Sequence, residues 1–359
     1  MVIVRRRFLE VGVALFRNPC TVRDTAKIFY RSMSMKALVI EEFGDSSKLK
    51  YTEVAKPEPG EGEVLIKNEI CGLNYLDVVI RKGLIQSLGS KFPLTAGVEA
   101  AGIVEKLGAE VGSVAVGERV AFTVVGSGAH AEFTKVPASR LVKIPTAVSF
   151  EQAATAMIQG MTAHYLVYTT GQLKPGNKVL IHAAAGGTGS LVCQVAKNAG
   201  AFVIGTTSTE AKAAKAKEAG ADEVILYSQK DFVEEVNRIT DGKGVNVIYD
   251  GIGKTTFRKG FDCLAIQGIN VSYGIVSGPP DPIDLNTLSK GSYSVCRPSL
   301  FHHVAKDEDL KWRSSEVFDW IKEGKVKFGE FTVLPLSEGK KAYELLESGK
   351  STGKILIKP

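Results

Sequence analysis

The 359-residue sequence predicts a two-domain α/β protein, in which a doubly wound parallel sheet adjoins a β-rich domain. Three observations lead to this prediction. From Met35 onward the chain shows short strands that are regularly separated by Gly and Pro. At Ser149 the pattern changes to a helical period, and beyond Gly171 strands alternate with helices as in βαβ units. A glycine-rich turn joins the first of those strands to its helix.

The β-rich part is predicted to be mostly antiparallel. Its segments alternate apolar and polar residues, and turn residues separate them. The predicted strands lie in MKALVIEEFG, KPEPGEGEVLIKNEICGLN, AGVEAAGIVEKLG, GERVAFTVV and GAHAEFTKVPASRLVKIP. Ser149 is a candidate N-cap for the helix that follows them.

Beyond Gly171 the spacing of strands and helices is that of a parallel sheet. The predicted strands are NKVLIHAA, AFVIGTT, EVILY, VNVIYDGIG and GINVSYG. An amphipathic helix follows in EVFDWIKEGKV, and then a helix and a strand follow in KKAYELLESGKSTGKILIKP. The parallel-sheet domain, residues 161–299, is therefore predicted to lie between two parts of the β-rich domain, residues 35–160 and 300–359.

A glycine-rich turn within Val179–Gly189 is the most informative motif. Gly186 and Gly187 let the backbone turn sharply and approach a pyrophosphate, and Gly189 lets the helix pack closely on its strand. The N-terminus of that helix offers free N–H groups and a partial positive charge to phosphates. Ala184 stands where the usual G-x-G-x-x-G pattern has its first glycine. The motif predicts a dinucleotide site, and the alternative is a tight strand–helix turn without a ligand.

The second parallel strand indicates which dinucleotide is bound. An NAD-binding protein usually carries Asp or Glu at the end of this strand, where it holds the ribose 2′-OH. Here the strand ends in Gly205-Thr206-Thr207-Ser208-Thr209, and Lys212 follows on the next helix. A small polar turn beside a lysine suits a 2′-phosphate, which favours NADPH over NADH. The alternative for Lys212, which Lys215 and Lys217 follow, is a solvated helix face.

Composition and charge exclude several classes of protein. The chain is 44% apolar and 23% charged, as in ordinary globular proteins, and no apolar run approaches the roughly 20 residues of a membrane span. The net charge of +6 is concentrated in residues 1–34, so the nearly neutral remainder gives no support for nucleic-acid binding. The five cysteines form no C-x-x-C pair and are predicted to be free thiols in a reducing compartment.

Residues 1–34 differ from the rest of the chain. They are rich in arginine, poor in acids, and carry apolar residues between basic ones. This composition resembles a mitochondrial transit peptide, although serines are few. The alternative is a non-functional upstream extension, with Met35 as the true start. The predicted location is accordingly mitochondrial or cytoplasmic.

Several segments occur in one order along the chain, namely MKALVI, CGLNYLDVVIRKG, AGVEAAGIVEKLG, HAAAGGTG, KEAGADEVILY, VNVIYDGIGK, SYGIVSGPP and TGKILI. Together they resemble the zinc-free quinone oxidoreductase (zeta-crystallin-like) branch of the medium-chain dehydrogenase/reductase superfamily. The resemblance covers Met35 to Pro359. It implies a GroES-like β-rich catalytic domain, a Rossmann domain, NADPH bound in the cleft between them, and a homodimer.

The residues also argue against a zinc site. Zinc alcohol dehydrogenases of this superfamily hold a catalytic zinc with Cys and His ligands, and the corresponding positions here are Asn74, Val98 and a position near Gln159. A tetrahedral site cannot be built from these three side chains. Cys71 lies out of register and is interpreted as a packed core thiol. No metal is therefore expected.

The resemblance assigns roles to individual residues. Asn74 should approach the nicotinamide ribose or carboxamide from the β-rich domain, and Thr162 should contact the nicotinamide. Lys212 should meet the 2′-phosphate, and Tyr227 should lie on the adenosine side. The other predicted cofactor contacts lie in the pyrophosphate turn, at the end of the second strand and opposite the nicotinamide amide, at Ala185, Gly186, Gly187, Thr188, Ser208, Tyr273, Gly274 and Ile275.

Three positions depart from the family pattern. Val79 stands where the family often has tyrosine, so a tyrosine hydroxyl is lost there. Gly128-Ala129-His130 replaces a Gly-Ala-Tyr sequence. Gly349-Lys350 stands near the C-terminus where an arginine is often found, which puts one phosphate contact in doubt.

The implied activity is NADPH-dependent quinone reduction, which needs no Lewis acid because the cofactor carries the chemistry. The catalytic candidates are Asn74, Tyr75, which either stacks on a flat quinone or belongs to the core, and His130, which is either a proton donor or a packed histidine. Asp77 is interpreted as tying its loop. One alternative is an enoyl or other α,β-unsaturated carbonyl reductase, and another is a non-catalytic NADPH-binding structural or membrane-associated protein.

Overall fold

The computed structural model describes residues 33–84, 92–351 and 353–359. Almost all of the predicted transit peptide, and with it the question of location, lies outside these residues. Within the described part of the chain, no helix combines the length and the apolar character that a membrane crossing requires.

The β-rich domain is built from two sheets whose strands pair mostly antiparallel. Its strands are β1 (Ser34–Ile40), β2 (Leu49–Ala55), β3 (Glu63–Gly72), β4 (Leu94–Thr95), β5 (Glu99–Leu107), β6 (Arg119–Thr123), β7 (Phe133–Pro137), β8 (Leu141–Lys143), β15 (Phe331–Pro335) and β16 (Lys354–Lys358). The larger sheet has the order β15-β16-β3-β5-β6-β8, with β7 also on β3, and the smaller has the order β2-β1-β4. Strand β16 pairs with β3, so the C-terminal strand lies inside the sheet that the N-terminal half forms.

The second domain is a six-stranded, all-parallel sheet. Its strands are β9 (Lys178–Ile181), β10 (Phe202–Thr207), β11 (Glu223–Leu226), β12 (Val245–Asp250), β13 (Leu264–Ser272) and β14 (Ser294–Cys296). Their order is β11-β10-β9-β12-β13-β14. Strands β9, β10 and β11 therefore follow one another toward one edge of the sheet. Strands β12, β13 and β14 start on the other side of β9 and follow one another toward the opposite edge. In such sheets a ligand binds beyond the carboxyl ends of the strands where the order reverses, which here is between β9 and β12.

Helices connect these strands and join the domains. They are α1 (Tyr75–Arg81), α2 (Phe150–Thr155), α3 (Met161–Tyr165), α4 (Gly187–Asn198), α5 (Glu210–Glu218), α6 (Phe232–Ile239), α7 (Phe257–Gly260), α8 (Asn286–Ser289), α9 (Leu300–His303), α10 (Asp307–Lys322) and α11 (Gly339–Glu347). Two π-helical segments, Ala156–Gly160 and Leu166–Thr170, follow α2 and α3. The predicted N-cap is confirmed, because the backbone N–H of Gln152 donates to Ser149 Oγ over 3.2 Å.

One apolar cluster runs from the β-rich domain into the parallel-sheet domain. It contains Ile70 of β3, Met157 of the first π segment, Val317 of α10 and Ile181 of β9, all of them buried. The fold class predicted from the sequence is confirmed. The domain boundaries at 160/161 and 299/300 stay predictions. Helix α10, which lies beyond the second boundary, packs with the helices at the domain junction.

Candidate cofactor and active site

The glycine-rich turn lies at the carboxyl end of β9, at the place where the strand order reverses. Gly186 is the N-cap of α4 in an extended conformation, and its N–H donates to the carbonyl oxygen of Ala183 over 2.8 Å. A Cβ on Gly189 would lie 2.2 Å from that same carbonyl oxygen, so only glycine lets α4 pack this closely on the turn. The amide groups of the first helical turn are left to bind an anion.

This turn fits a dinucleotide pyrophosphate. A Cβ on Gly187 would lie 2.5 Å from Gln159 Nε2, so glycine keeps the backbone open beside the neighbouring helix. Three polar atoms around the turn are buried and lack a hydrogen-bond partner, namely Gln159 Oε1, His182 Nε2 and Thr207 Oγ1. Buried polar groups are normally satisfied, so these atoms indicate a polar ligand or water in this region.

The predicted adenosine-side residues lie beyond the carboxyl ends of β10 and β11. Ser208 is partly buried, and its carbonyl oxygen accepts from Ser228 Oγ over 3.0 Å. Lys212 lies in the first turn of α5, and its Nζ donates to the carbonyl oxygen of Gly349 over 2.8 Å. Tyr227 is 54% exposed at the end of β11. The structure therefore brings the 348–350 loop beside the residues that were predicted to meet the 2′-phosphate.

The predicted nicotinamide-side residues meet where β12 and β13 end. The N–H groups of Tyr273 and Gly274 donate to the Asp250 carbonyl oxygen over 2.8 and 3.2 Å. A Cβ on Gly274 would lie 2.3 Å from the carbonyl oxygen of Gly251, so this crossing needs glycine. Arg297 Nη1 donates to the Gly274 carbonyl oxygen over 3.0 Å and so holds the loop that continues to Ile275. Some of the backbone groups that were predicted to bind the nicotinamide amide are thus already hydrogen-bonded within the protein.

Asn74 lies in the β-rich domain, at the start of α1, and its side-chain amide forms hydrogen bonds with two buried charged side chains. Its Nδ2 donates to Glu99 Oε1 over 2.7 Å, and its Oδ1 accepts from Lys354 Nζ over 2.8 Å. Lys354 Nζ also lies 2.5 Å from Glu99 Oε1, and the two charged side chains are 3% and 0% exposed. The other carboxylate oxygen of Glu99 accepts from the N–H of Ile158 over 2.9 Å. Thr162, four residues further along, is buried in α3.

Sequence reasoning missed Glu99 and Lys354 as members of the site. Each lies inside a segment that resembles the family, and neither was predicted to have a role. A signal was present, because each is a charged residue within a stretch that otherwise reads as a buried strand. Charged side chains are almost never fully buried unless they are paired. The pair itself could not be read from the pattern, since its members lie 255 residues apart.

Asp77, in the first turn of α1, is also buried. Its Oδ2 accepts from the N–H of Asn74 over 2.8 Å, which agrees with the interpretation that it ties the loop. Its Oδ1 is buried and lacks a partner in the structure. Burial raises the pKa of Asp77 to about 7, the hydrogen bond from Asn74 and the charge of Lys354 oppose that rise, and the charge of Glu99 adds to it.

Tyr75 crosses from the β-rich domain to the parallel-sheet domain. Its hydroxyl donates to the carbonyl oxygen of Val276 over 3.0 Å, in the loop that follows β13. The ring packs against the core of the β-rich domain but is only partly buried. Both interpretations of Tyr75 therefore retain support, because the ring packs inward while the hydroxyl lies at the domain junction.

His130 is enclosed within the β-rich domain. Its Nε2 lies 3.2 Å from the carbonyl oxygen of Gly72, and its Nδ1 lies 3.2 Å from Tyr343 Oη. The ring is fully buried, and burial lowers its pKa to about 4. A neutral imidazole with both nitrogens engaged fits the packed-histidine alternative rather than the proton-donor hypothesis for His130.

The zinc-ligand positions hold Asn74, Val98 and Gln159. Among residues 33–84, 92–351 and 353–359, no group of three or more His, Cys, Asp or Glu side chains is placed to hold a metal ion. Cys71 is buried and donates through Sγ to the carbonyl oxygen of Ala129 over 2.9 Å, as a packed core thiol would. The chemistry of this donor set fits hydrogen bonding rather than metal coordination.

Comparison with known families matches both domains. The family described as "Alcohol dehydrogenase GroES-like domain" matches residues 60–146, and the family described as "Zinc-binding dehydrogenase" matches residues 187–312. Both matches agree with the fold described above.

Individual relatives match over most of the chain. The sequence is 39% identical over 319 residues to "Quinone oxidoreductase 1" of Escherichia coli strain K12, covering 88% of this chain and 97% of the relative. It is 38% identical over 330 residues to a "2-haloacrylate reductase" of a Burkholderia species, covering 90% and 98%. The crystal structure of Escherichia coli quinone oxidoreductase complexed with NADPH matches with a TM-score of 0.86 and 37% identity, covering 90% of this chain and 100% of that one.

Proposed function

Because this chain belongs to the quinone oxidoreductase branch of the medium-chain dehydrogenase/reductase superfamily, we propose that it reduces a quinone with NADPH and without a zinc ion. The observation that carries the proposal is the glycine turn at the reversal of strand order, with Lys212 beside the end of β10. A related structure contains NADPH, which supports the same cofactor here.

The preference for NADPH over NADH rests on the adenosine end. Strand β10 ends in Thr206 and Thr207 and offers no carboxylate to hold a ribose 2′-OH. Lys212 supplies a cation, and its bond to Gly349 keeps the loop that carries Lys350 nearby. We propose that a 2′-phosphate binds at Lys212, and that Ser208 and Tyr227 border the adenosine. A charge-assisted hydrogen bond to phosphate is about twice as strong as a neutral one.

The bound nicotinamide supplies the hydride, and the protein supplies orientation and a dry cleft. We propose that Asn74 and Thr162 contact the nicotinamide half from one side, and that the loop from Tyr273 to Ile275 does so from the other. The pyrophosphate would lie on the turn from Ala185 to Thr188. A quinone needs no Lewis acid to accept hydride, which is consistent with the hydrogen-bonded network around Asn74, at one of the positions that correspond to the zinc ligands.

A second activity has its own support. A relative that is 38% identical bears the name 2-haloacrylate reductase, and such a substrate is an α,β-unsaturated carboxylate. Reduction of an alkene needs a proton donor as well as hydride. Tyr75 places a hydroxyl at the domain junction, 3.0 Å from the Val276 carbonyl oxygen. We therefore keep α,β-unsaturated carbonyl reduction as the second candidate function.

One experiment distinguishes the two candidate functions. The protein starting at Met35 is mixed with NADPH or NADH, and oxidation is followed at 340 nm with 1,4-benzoquinone, an ortho-quinone, 2-chloroacrylate or an enoyl thioester. Rapid oxidation of NADPH with a quinone alone supports the leading proposal. Turnover with only the unsaturated acid or thioester contradicts it and supports the second. NADPH binding without turnover on any acceptor supports the non-catalytic alternative.

We further propose that the protein is a homodimer. In the described part of the chain, β14 pairs only with β13, so its outer edge is free. Val295, on β14 itself, is 37% exposed, and Ile266, on the neighbouring strand β13, is 80% exposed. A free strand edge is a template for another strand, and a two-fold axis there would join the sheets of two copies.

A further inference from the structure

We propose that Lys354 is a positioning residue, whose buried ammonium group fixes the Asn74 amide in one orientation toward the nicotinamide half of the cofactor. The inference rests on the proposed NADPH site and concerns residues that the family resemblance left without a role. Its evidence is the geometry of three side chains, namely Asn74 at the start of α1, Glu99 on β5 and Lys354 on β16.

The orientation follows from the chemistry of the partners. An ammonium group only donates hydrogen bonds and an ionised carboxylate only accepts them. Lys354 Nζ therefore requires Oδ1 of Asn74 at 2.8 Å, and Glu99 Oε1 requires Nδ2 at 2.7 Å. A flipped amide would place the amide NH₂ group against the ammonium and the oxygen against the carboxylate. The pair thus selects one of two amide orientations that are otherwise nearly equal in shape.

The selected orientation has a consequence for the ligand. An amide nitrogen carries two hydrogens, and the structure records one acceptor, Glu99 Oε1, for Nδ2 of Asn74. The second hydrogen is available to an acceptor, such as a ribose hydroxyl or the carboxamide oxygen of nicotinamide. Asn74 then acts toward the cofactor as a hydrogen-bond donor.

The hydrogen-bonded network of Asn74, Glu99 and Lys354 is connected to the glycine turn at two places. Gly353, which precedes Lys354, forms a parallel bridge with Gly186. Glu99 accepts from Ile158 in the first π segment, and the next residue, Gln159, packs against the turn at Gly187. The position of Asn74 is therefore set relative to the backbone that would hold the pyrophosphate.

Stability alone does not explain why a lysine is buried here. Taking an ammonium and a carboxylate out of water is costly, and replacing a buried ion pair with apolar side chains is often neutral or stabilising. The space next to Glu99 is restricted further, since a Cβ on Gly72 would lie 2.0 Å from Glu99 Oε1. A role in fixing the amide gives the pair a function that an apolar pair could not perform.

The test compares binding of NADPH with binding of adenosine 2′,5′-bisphosphate, which lacks the nicotinamide half. In the Lys354→Met protein we expect NADPH to bind on the order of 10-fold more weakly, the size of one lost hydrogen bond between the Asn74 amide and the ligand. The bisphosphate should bind as to the wild type. Lys358→Met is the matched control, because Lys358 is exposed on the same strand. Lys354→Arg should recover part of the lost affinity.

Two further variants keep the test decisive. If Glu99, left unpaired, prevents folding, the double variant Lys354→Met with Glu99→Gln removes both charges, and the same comparison applies. In the Asn74→Ala background, Lys354→Met should have no further effect on NADPH binding, since coupled residues are not additive.

Equal weakening of both ligands would show a general structural role and overturn the proposal, as would unchanged NADPH binding. With a quinone, kcat should fall on the order of 100-fold if the nicotinamide is misplaced. A wild type that binds NADPH but reduces no quinone would contradict the proposed function, while the binding comparison would still decide the role of Lys354.

Discussion

The buried carboxyl of Asp77 should make the free energy of unfolding depend on pH. Burial raises its pKa from 3.8 to about 7, so the folded state holds a proton that the unfolded state releases between these values. Stability contributed by this group is fully present below about pH 4 and is lost as pH rises through about 7. A pKa difference of one between the two states corresponds to about 1.4 kcal/mol, so the change in unfolding free energy between pH 5 and pH 8 is about 3 kcal/mol.

The Asp77→Asn variant isolates this contribution. Its side-chain oxygen still accepts from the N–H of Asn74, but it carries no titrating proton. Urea unfolding at several pH values should show that the variant gains about 3 kcal/mol relative to the wild type between pH 5 and pH 8. The control Asp281→Asn changes a carboxyl that is 69% exposed and should give a constant difference. If the unfolding free energies of the wild type and Asp77→Asn change in parallel between pH 5 and pH 8, the reasoning is refuted. Asp77 would then be ionised in the folded state over that whole range.

Three other substitutions test the proposed sites. Lys212→Ala should weaken NADPH binding about 10- to 100-fold and leave NADH unchanged; equal loss for both cofactors, or a similar effect from Lys215→Ala, would remove the phosphate role. Tyr75→Phe should slow reduction of 2-chloroacrylate about 100-fold and spare quinone reduction if its hydroxyl is the proton donor; unchanged rates would exclude that role. Val295→Asp should convert a dimer into a monomer in light scattering, and a wild-type monomer would contradict the proposed interface.

Much of the fold was predictable because its signals are local. The parallel strands follow from short apolar runs between helices, and Ser149 was recognised as an N-cap from its place before a helical period. Helix α10 begins at Asp307, nine residues before the predicted segment, because its first turns are mostly charged and only one face of them is buried. The short edge strand β14 was missed, since three residues carry too little pattern to read.

The residues of the candidate site likewise differ in whether a local sequence pattern reveals them. The glycine turn and Lys212 stand within one stretch of chain, so their chemistry could be read from spacing. The Glu99–Lys354 pair depends on β16 reaching β3 across the whole sequence, which no local pattern reports. The enclosure of His130 depends on Tyr343, also distant in sequence, which is why its two interpretations could not be separated before the fold was known.

The charges of Lys354 and Glu99 act on Asp77 as well as on Asn74. The charge of Lys354 lowers the pKa of Asp77, while the charge of Glu99 raises it. Removing the ammonium group alone therefore takes away the cation that lies against Glu99, and both buried carboxyls must shift toward their protonated forms. The pH at which Asp77 ionises should then move above 7 in Lys354→Met and return toward the wild-type value when Glu99→Gln is added. A network that only fills space would show neither change, so the pH dependence of unfolding distinguishes an electrostatic unit from simple packing.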